Sequence, residues 1–409
     1  MARKEKLFEL LTRKDGTPFG QDTVRHWYEG RRYVLDHLAE IDGGGIRPCD
    51  THAPHVVVEG VSPLMLSVVR HLCFVAHYPN FSEASAAPRT RITLLCPGAH
   101  SLEALKGIER ELAREEYLCN LMPAAECSYR TDVDGEATVR PAALPYLDIE
   151  FELVGVDEFG EYDAPGSYRV RQADVEAHIA GMAPEDVHSI DTSMAMMANM
   201  AYKTGADLDN LPPVDNTDPA RYTLALNTFC YKKRRKTTIS NWESLAKTDE
   251  KTGRADLREV KEKLSNVFLA DTFEPRLRGM AKTINPDFGE DIHAFAARRK
   301  NKKKLTEAVA ANLAPMSRCE HSRWVTEKLI MGMRPLSAEE AYRDETSFGA
   351  ARAAFRRSLK LNAADPAHID LCSYRDLRRI NPADLKYDCL LVLAMPHILT
   401  ESKTVAEKP

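Results

Sequence analysis

Two places in the chain gather residue types that could do chemistry together. Near the C-terminal end, His321, Trp324 and Lys328 recur at i, i+3 and i+7 along one helical stripe, with Glu320, Arg323 and Glu327 beside them. Lys360, His368, Tyr374 and Lys386-Tyr387-Asp388 follow downstream. An indole offers a π face and Arg or Lys offers phosphate contacts, so this set suits a planar, negatively charged ligand. The same residues also read as a packed helical domain around a buried tryptophan.

The second place is the strand–glycine–helix run at Val56–Val69. A dinucleotide fold puts its phosphate loop there, because glycines allow a tight turn and close approach of backbone N–H groups to pyrophosphate. The three glycine positions of such a loop hold Gly60, Ser62 and Met65. The next strand ends Leu95-Cys96-Pro97-Gly98, without the acidic residue that would hold a ribose. Gly60 and Ser62 are thus a candidate phosphate loop in a Rossmann-like unit, not an ordinary NAD site.

Other constellations point away from chemistry. Cys319-Glu320-His321 is the tightest metal-type cluster, but adjacent helical residues point about 100° apart and cannot converge on one ion. Asp191-Thr192-Ser193 reads as a helix cap. No nucleophile elbow, Walker loop or His-Glu-x-x-His occurs, so neither a catalytic set nor a metal site is expected. The basic runs Lys232–Lys236 and Arg298–Lys304 lack interleaved aromatics and read as solvated connectors, which argues against nucleic acid as a partner.

The elements that must position these residues follow from pattern. Lys4–Arg13 carries Leu7, Leu10 and Leu11 on one face, and Asp22–Ile41 has helical spacing up to Gly43-Gly44-Gly45. His55–Glu59 and Thr90–Cys96 are β-branched strands, with an apolar helix between them that Ser62 caps and Pro63 opens. A helix is predicted at 101–118, strands at 147–156 and 187–191, and a methionine-rich helix at Ser193–Thr204. Strands alternating with helices argue for α/β with a parallel sheet. The reading divides the chain into a helical arm (1–45), a Rossmann-like α/β domain (46–218), a charged helical connector (219–313), a small, mostly helical unit (314–400) and a polar tail (401–409).

The 409 residues are 44% hydrophobic and 29% charged, which excludes wholesale disorder. Nine cysteines, an odd number with no Cys-x-x-Cys, read as reduced thiols in a cytoplasmic protein. No signal peptide or membrane span is predicted. The net charge of −5 hides two opposed blocks: residues 132–220 hold 19 Asp and Glu against 4 Lys and Arg, and residues 221–304 hold 11 against 21.

Glu320-His321-Ser322-Arg323-Trp324, then Gly332, then His368-Ile369-Asp370-Leu371-Cys372-Ser373-Tyr374-Arg375-Asp376-Leu377 and Lys386-Tyr387-Asp388 resemble the RyR domain. This small helical module occurs in ryanodine receptors and in bacterial cytosolic proteins, where it often follows a Rossmann-like domain of the potassium-channel-regulator type. The resemblance covers about 85 of the 409 residues, and an insertion, Leu336–Ser358, interrupts it. It implies sensing of an adenine-nucleotide or ADP-ribose-like signal without catalysis, in signalling or antiviral defence. Output would pass through an effector protein or a homo-oligomer. Carried over, the ligand-binding residues are Arg323, Trp324, Lys328, Lys360, His368 and Tyr374. An enzyme acting on a nucleotide at Gly60 and Ser62 is the second reading.

Overall fold

The structure, a computed structural model, describes residues 4–13, 15–83, 87–131, 137–206, 239–246, 256–362 and 364–406. Its first strand pair is β1 (Lys4–Glu5), which runs antiparallel to β8 (Ile190–Asp191). A 3-10 turn at Leu7–Leu10 follows β1, where the sequence predicts a helix over 4–13. Long-range partners explain the difference. The Glu5 carboxylate accepts from Trp242 Nε1 at 2.7 Å and Lys263 Nζ at 2.9 Å, holding its backbone extended.

Helix α1 (Gln21–Ile41) then leads to β2 (His55–Glu59), α2 (Pro63–Val75) and β3 (Thr90–Pro97). Ser62 accepts the Met65 N–H as the cap of α2, and Pro63 occupies the first turn. Every residue of α2 from Leu64 to Val75 is buried, because the helix lies between the sheet and other helices. The chain continues through α3 (Leu102–Leu112), α4 (Leu121–Ala124), β4 (Glu126–Arg130), β5 (Thr138–Arg140), β6 (Ile149–Val156) and β7 (Tyr168–Val170). Strands β4, β5 and β7 lie in segments the sequence analysis leaves without strands.

Six strands form one sheet in the order β5-β4-β6-β3-β2-β7, and every neighbouring pair is parallel except β4–β5. The steps β2 to β3 and β3 to β4 advance in one direction, while the step from β6 to β7 returns over β3 and β2. Right-handed crossovers put such opposed steps on opposite faces. Val56, Val58, Ile92, Leu94, Phe151 and Leu153 accordingly enter the main core with the helices. Val57, Leu95, Val154 and Val156 form a smaller cluster with Phe159, Tyr162 and Ala164 of the β6–β7 loop.

After α5 (Gln172–Ala180), α6 (Pro184–Val187) and α7 (Ser193–Ala206) come α8 (Leu257–Asp271), α9 (Phe273–Ile284), α10 (Ile292–Ala297) and α11 (Arg299–Ala311). The described helices of the expected charged connector pack on the sheet-bearing part of the chain. Val260, Leu264, Phe268, Phe273, Leu277 and Met280 sit in the same core cluster as the sheet, and Phe268 stacks on Phe74 of α2 at 3.9 Å. The glycine run after α1 belongs to this packing. Gly45 has φ +111°, and a Cβ there would lie 2.5 Å from the Gly279 backbone nitrogen, so α9 meets the chain backbone to backbone.

The remaining elements are α12 (Leu313–Ile330), α13 (Ala338–Thr346), α14 (Gly349–Lys360), α15 (Tyr374–Ile380) and α16 (Leu385–Ala406). Helix α16 runs on where a polar tail from 401 is expected. Leu313, Met316, Val325 and Leu329 of α12 and Leu390–Met395 of α16 also join the main core. The inserted segment folds as the α13–α14 pair. A capping box between Ser337 and Glu340 starts α13, and buried Asp344 is paired with Arg352 and Arg356 of α14.

Candidate functional site

Helix α12 is a polar sequence in a buried place. From Cys319 to Ile330 every residue is buried except Trp324 and Lys328, which stand four residues apart on one stripe. From Cys319 onward, the helix opens to the surface at these two residues. The Trp324 ring lies 5.1 Å from His368, nearly perpendicular to it at 76°. Lys328 Nζ is 5.7 Å from the indole centroid.

Lys360 arrives at the end of α14, so the inserted hairpin delivers it. Its ammonium makes no hydrogen bond or ion pair among the described residues. Crowding by the surrounding protein, followed by the charge of Lys328, pushes its pKa down. Burial, Lys360 and Lys328 together lower the His368 pKa to about 3, so its imidazole is neutral. His368 Nδ1 accepts the Asp370 N–H at 3.2 Å, which leaves the proton on Nε2. Three of the six residues carried over from the resemblance, Trp324, Lys328 and His368, come together, and the charge of Lys360 acts on both Lys328 and His368: one π face, two ammonium groups and one N–H donor.

The other two lie behind this surface. Arg323 is buried, and its guanidinium is fully engaged. Its Nε donates to Glu320 Oε1 at 3.0 Å, Nη2 reaches the same oxygen at 2.8 Å, and Nη1 donates to Glu327 Oε2 at 2.6 Å. Arg276 Nη1 donates to Glu320 Oε2 at 2.6 Å, and Lys328 donates to Glu327. The result is an interior ladder of alternating charge, Arg276–Glu320–Arg323–Glu327–Lys328, ending at the candidate site. The expected phosphate contact from Arg323 is therefore replaced by a positioning role. Tyr374 is also buried, 5.6 Å from the His321 ring, with its N–H donating to Glu83 Oε1 at 2.6 Å.

His321, first on the predicted stripe, faces inward. Its Nε2 donates to the Cys372 carbonyl at 2.9 Å and its Nδ1 lies 3.5 Å from Asp388 Oδ2. Burial opposes the charge, but these two acceptors outweigh it and lift the pKa to about 10. Burial raises Asp388 in turn, while the imidazolium pulls it back; the two acceptors on the ring favour the ion pair.

Two further residues at this site, Asp384 and Tyr202, escaped the sequence reading, and the partners of Asp370 and Tyr387 were not foreseen. Asp370 and Asp384 are tied through Asn381 Nδ2, which donates to Asp370 Oδ1 at 2.8 Å and Asp384 Oδ2 at 2.9 Å. Burial and the facing Asp384 raise the Asp370 pKa to about 7. Tyr202 of α7 stacks on Tyr387 of α16 at 4.6 Å. Asp370 and Tyr387 stood in the motif segments quoted above, but nothing local marks their distant partners.

The other candidate lies at the carboxyl ends of the strands, where the sheet reverses its winding. An open crevice of about 610 Å³ is lined by Glu59, Gly60, Ser62, Pro97, Phe159, Arg171 and Gln172. Gly60 has φ +94°, so a glycine suits the turn there. The Ser62 hydroxyl is committed twice, accepting from Met65 and donating to Gln172 Oε1 at 2.7 Å. The Glu59 carboxylate pairs with Arg169 at 2.8 Å and Arg171 at 3.5 Å. A phosphate entering here would meet that carboxylate.

Asp191 Oδ1 accepts the Ser193 N–H at 2.9 Å, so the Asp191-Thr192-Ser193 triplet is the helix cap its sequence suggests. Of the basic runs, 232–236 lies outside the described residues, while Arg298, Lys302 and Lys303 pair with Glu290, Glu401 and Glu307. The eight described cysteines are free thiols. No described helix is long and apolar enough to cross a membrane. Comparison of the chain with models of known families, with curated proteins and with solved structures finds no match.

Proposed function

We propose that the chain is a sensor that binds a nucleotide or nucleotide-derived anion at the Trp324 surface and returns it unchanged. In this reading residues 314–400 act as an RyR-like module and the sheet is a Rossmann-like support. One observation carries it: two lysines, Lys328 and Lys360, stand together beside a half-exposed indole, and the Lys360 ammonium has no carboxylate partner in contact. Like charges held together destabilise each other, and an anion relieves that repulsion. The indole selects a planar group to accompany the anion. The neutral His368 adds a directed donor that needs no counter-charge. The ligand changes the balance of an interior charge ladder ending at Lys328, a route by which occupancy reaches α8 and α9.

Isothermal titration with ADP and ADP-ribose tests this. Hydrogen bonds to charged groups contribute ~1.5–3 kcal/mol, so Lys328→Ala and Lys360→Ala should each weaken binding about tenfold or more. Binding that ignores both substitutions removes the site from the account. The enzyme reading at the Gly60 crevice rests on its position at the strand ends. It requires turnover of the nucleotide and sensitivity to Gly60 substitution instead.

A further inference from the structure

The crevice at the carboxyl ends of the strands gathers four polar side chains, Glu59, Ser62, Arg171 and Gln172, around one open volume of about 610 Å³. Two of the four are used up. Ser62 donates to Gln172 Oε1 at 2.7 Å and accepts the Met65 N–H, while Gln172 Nε2 donates to Glu176 Oε1 at 2.7 Å. The other two keep free capacity. Arg169, which does not line the crevice, pins the Glu59 carboxylate: its Nη1 donates to Glu59 Oε1 at 2.8 Å and to the Phe159 carbonyl at 3.1 Å. The Glu59 side chain is 10% exposed, and its Oε2 accepts no hydrogen bond among the described residues. The Arg171 side chain is 58% exposed, 3.5 Å from Glu59 Oε1 and 3.7 Å from Asp174, and it donates no hydrogen bond among the described residues. An open acceptor and an open donor fork thus stand side by side.

The two charges select against charged ligands. An anion drawn to Arg171 meets the Glu59 carboxylate, and a cation drawn to Glu59 meets Arg171, so like charge opposes either one. A hydroxyl suits both, because it donates one hydrogen bond and accepts two. Its proton goes to Glu59 Oε2 and its oxygen accepts from Arg171, and hydrogen bonds to ionised groups are stronger than neutral ones. Neighbouring hydroxyls on a ring repeat the pattern. Pro97 and Phe159 supply an apolar wall in the same crevice for the C–H face of such a ring. Gly60 leaves the corner between Glu59 and Phe159 open; a Cβ there would stand 3.6 Å from Phe159 Cζ. Few placed polar groups on an apolar lining, in ~300–1,000 Å³, is the usual make-up of a small-molecule site. We propose that this crevice binds an uncharged sugar, whose hydroxyls bridge Glu59 and Arg171. It shares no residue with the Trp324 surface and does not rest on the anion-site reading.

The test is saturation-transfer NMR titration of the full-length chain with D-glucose and D-ribose. At least one should bind saturably, and inorganic phosphate should not displace it. Arg171→Ala, at an exposed position, should weaken that binding about tenfold, the change that loss of a charge-assisted hydrogen bond corresponds to. Glu59→Gln keeps the size of the side chain but removes its charge and should weaken binding similarly. Arg171→Ala decides alone if loss of the Glu59–Arg169 pair destabilises Glu59→Gln. Lys328→Ala should leave sugar binding unchanged, so this site and the Trp324 surface stand or fall separately. No saturable binding of either sugar, displacement by inorganic phosphate, affinity indifferent to Arg171→Ala, or affinity lost in Lys328→Ala overturns the sugar site.

Discussion

Replacing Arg323 by alanine should unfold the protein more easily rather than merely weaken a ligand. The guanidinium is 2% exposed, and the two carboxylates it serves, on Glu320 and Glu327, are at most 1% exposed. Removing one partner of a buried ion set costs ~3–5 kcal/mol, because the charges left behind stay desolvated. Each glutamate keeps one cation, Arg276 for Glu320 and Lys328 for Glu327, which points to the lower end, about 3 kcal/mol. With a urea m-value of ~3 kcal/mol/M, the midpoint falls by about 1 M. Lys360→Ala, by contrast, removes an exposed and unpaired charge and should change stability by no more than ~0.5 kcal/mol, a midpoint shift under ~0.2 M. The assay is urea unfolding followed by far-UV circular dichroism. A variant that exchanges the buried set together, Arg276→Met and Arg323→Met with Glu320→Gln and Glu327→Gln, should recover most of the loss, since exchanging a whole buried set is far less costly than breaking it. An Arg323→Ala protein with an unchanged midpoint and abolished nucleotide binding would refute the interior ladder.

Further outcomes follow from the same geometry. Asp370 titrates near 7 when folded against an ordinary value of ~3.9, so the folded state binds the extra proton and stability falls as pH rises from 4 to 7. Asp370→Asn should flatten that part of the urea-midpoint profile. Ionisation of the Asp370–Asp384 pair also sets negative charge before Lys360, with Arg356 and His321 the other cations acting on the pair, so ADP-ribose, whose diphosphate keeps a constant charge from pH 6 to 8, should bind more weakly at pH 8 than at pH 6; Asp370→Asn should remove the difference. His321, raised to about 10, lends stability that is complete below its unfolded value of ~6.5 and is lost as pH climbs to 10. His321→Gln should abolish that alkaline loss in midpoints measured from pH 7 to 10. Gly279→Ala puts a Cβ 2.2 Å from the Ile46 carbonyl oxygen and should cost ~1–3 kcal/mol by thermal or urea unfolding.

What could be read in advance was local. Ser62-Pro63 after a β-branched run specifies a capped helix following a strand, and the structure has both. Asp191 likewise caps the helix that starts at Ser193, as expected. Strand β4, by contrast, reads Glu-Cys-Ser-Tyr-Arg and carries no β-branched residue; its pairing with β6 makes it a strand. Strand β7 is three residues long, too short for periodicity to register. The Lys4–Arg13 segment has helical spacing, but Trp242 and Lys263, more than two hundred residues away, draw Glu5 into a strand. At the site, the sequence puts His321, Trp324 and Lys328 on one stripe, of which Trp324 and Lys328 are partly exposed while His321 is buried. The same helix carries Glu320, Arg323 and Glu327 at i, i+3 and i+7, a spacing equally suited to an internal ion ladder, and only burial decides between ladder and ligand. Tyr202 was invisible because its stacking partner is remote in sequence.

Trp324 provides the most direct test. The chain has three tryptophans; Trp27 and Trp242 are buried, so Trp324 is the indole that a solute can reach. Titrating ADP-ribose while following intrinsic fluorescence should give a saturable change that disappears in Trp324→Phe and shifts to higher concentration in Lys360→Ala. A flat titration, or a saturable change that persists unaltered in Trp324→Phe, would contradict the anion site.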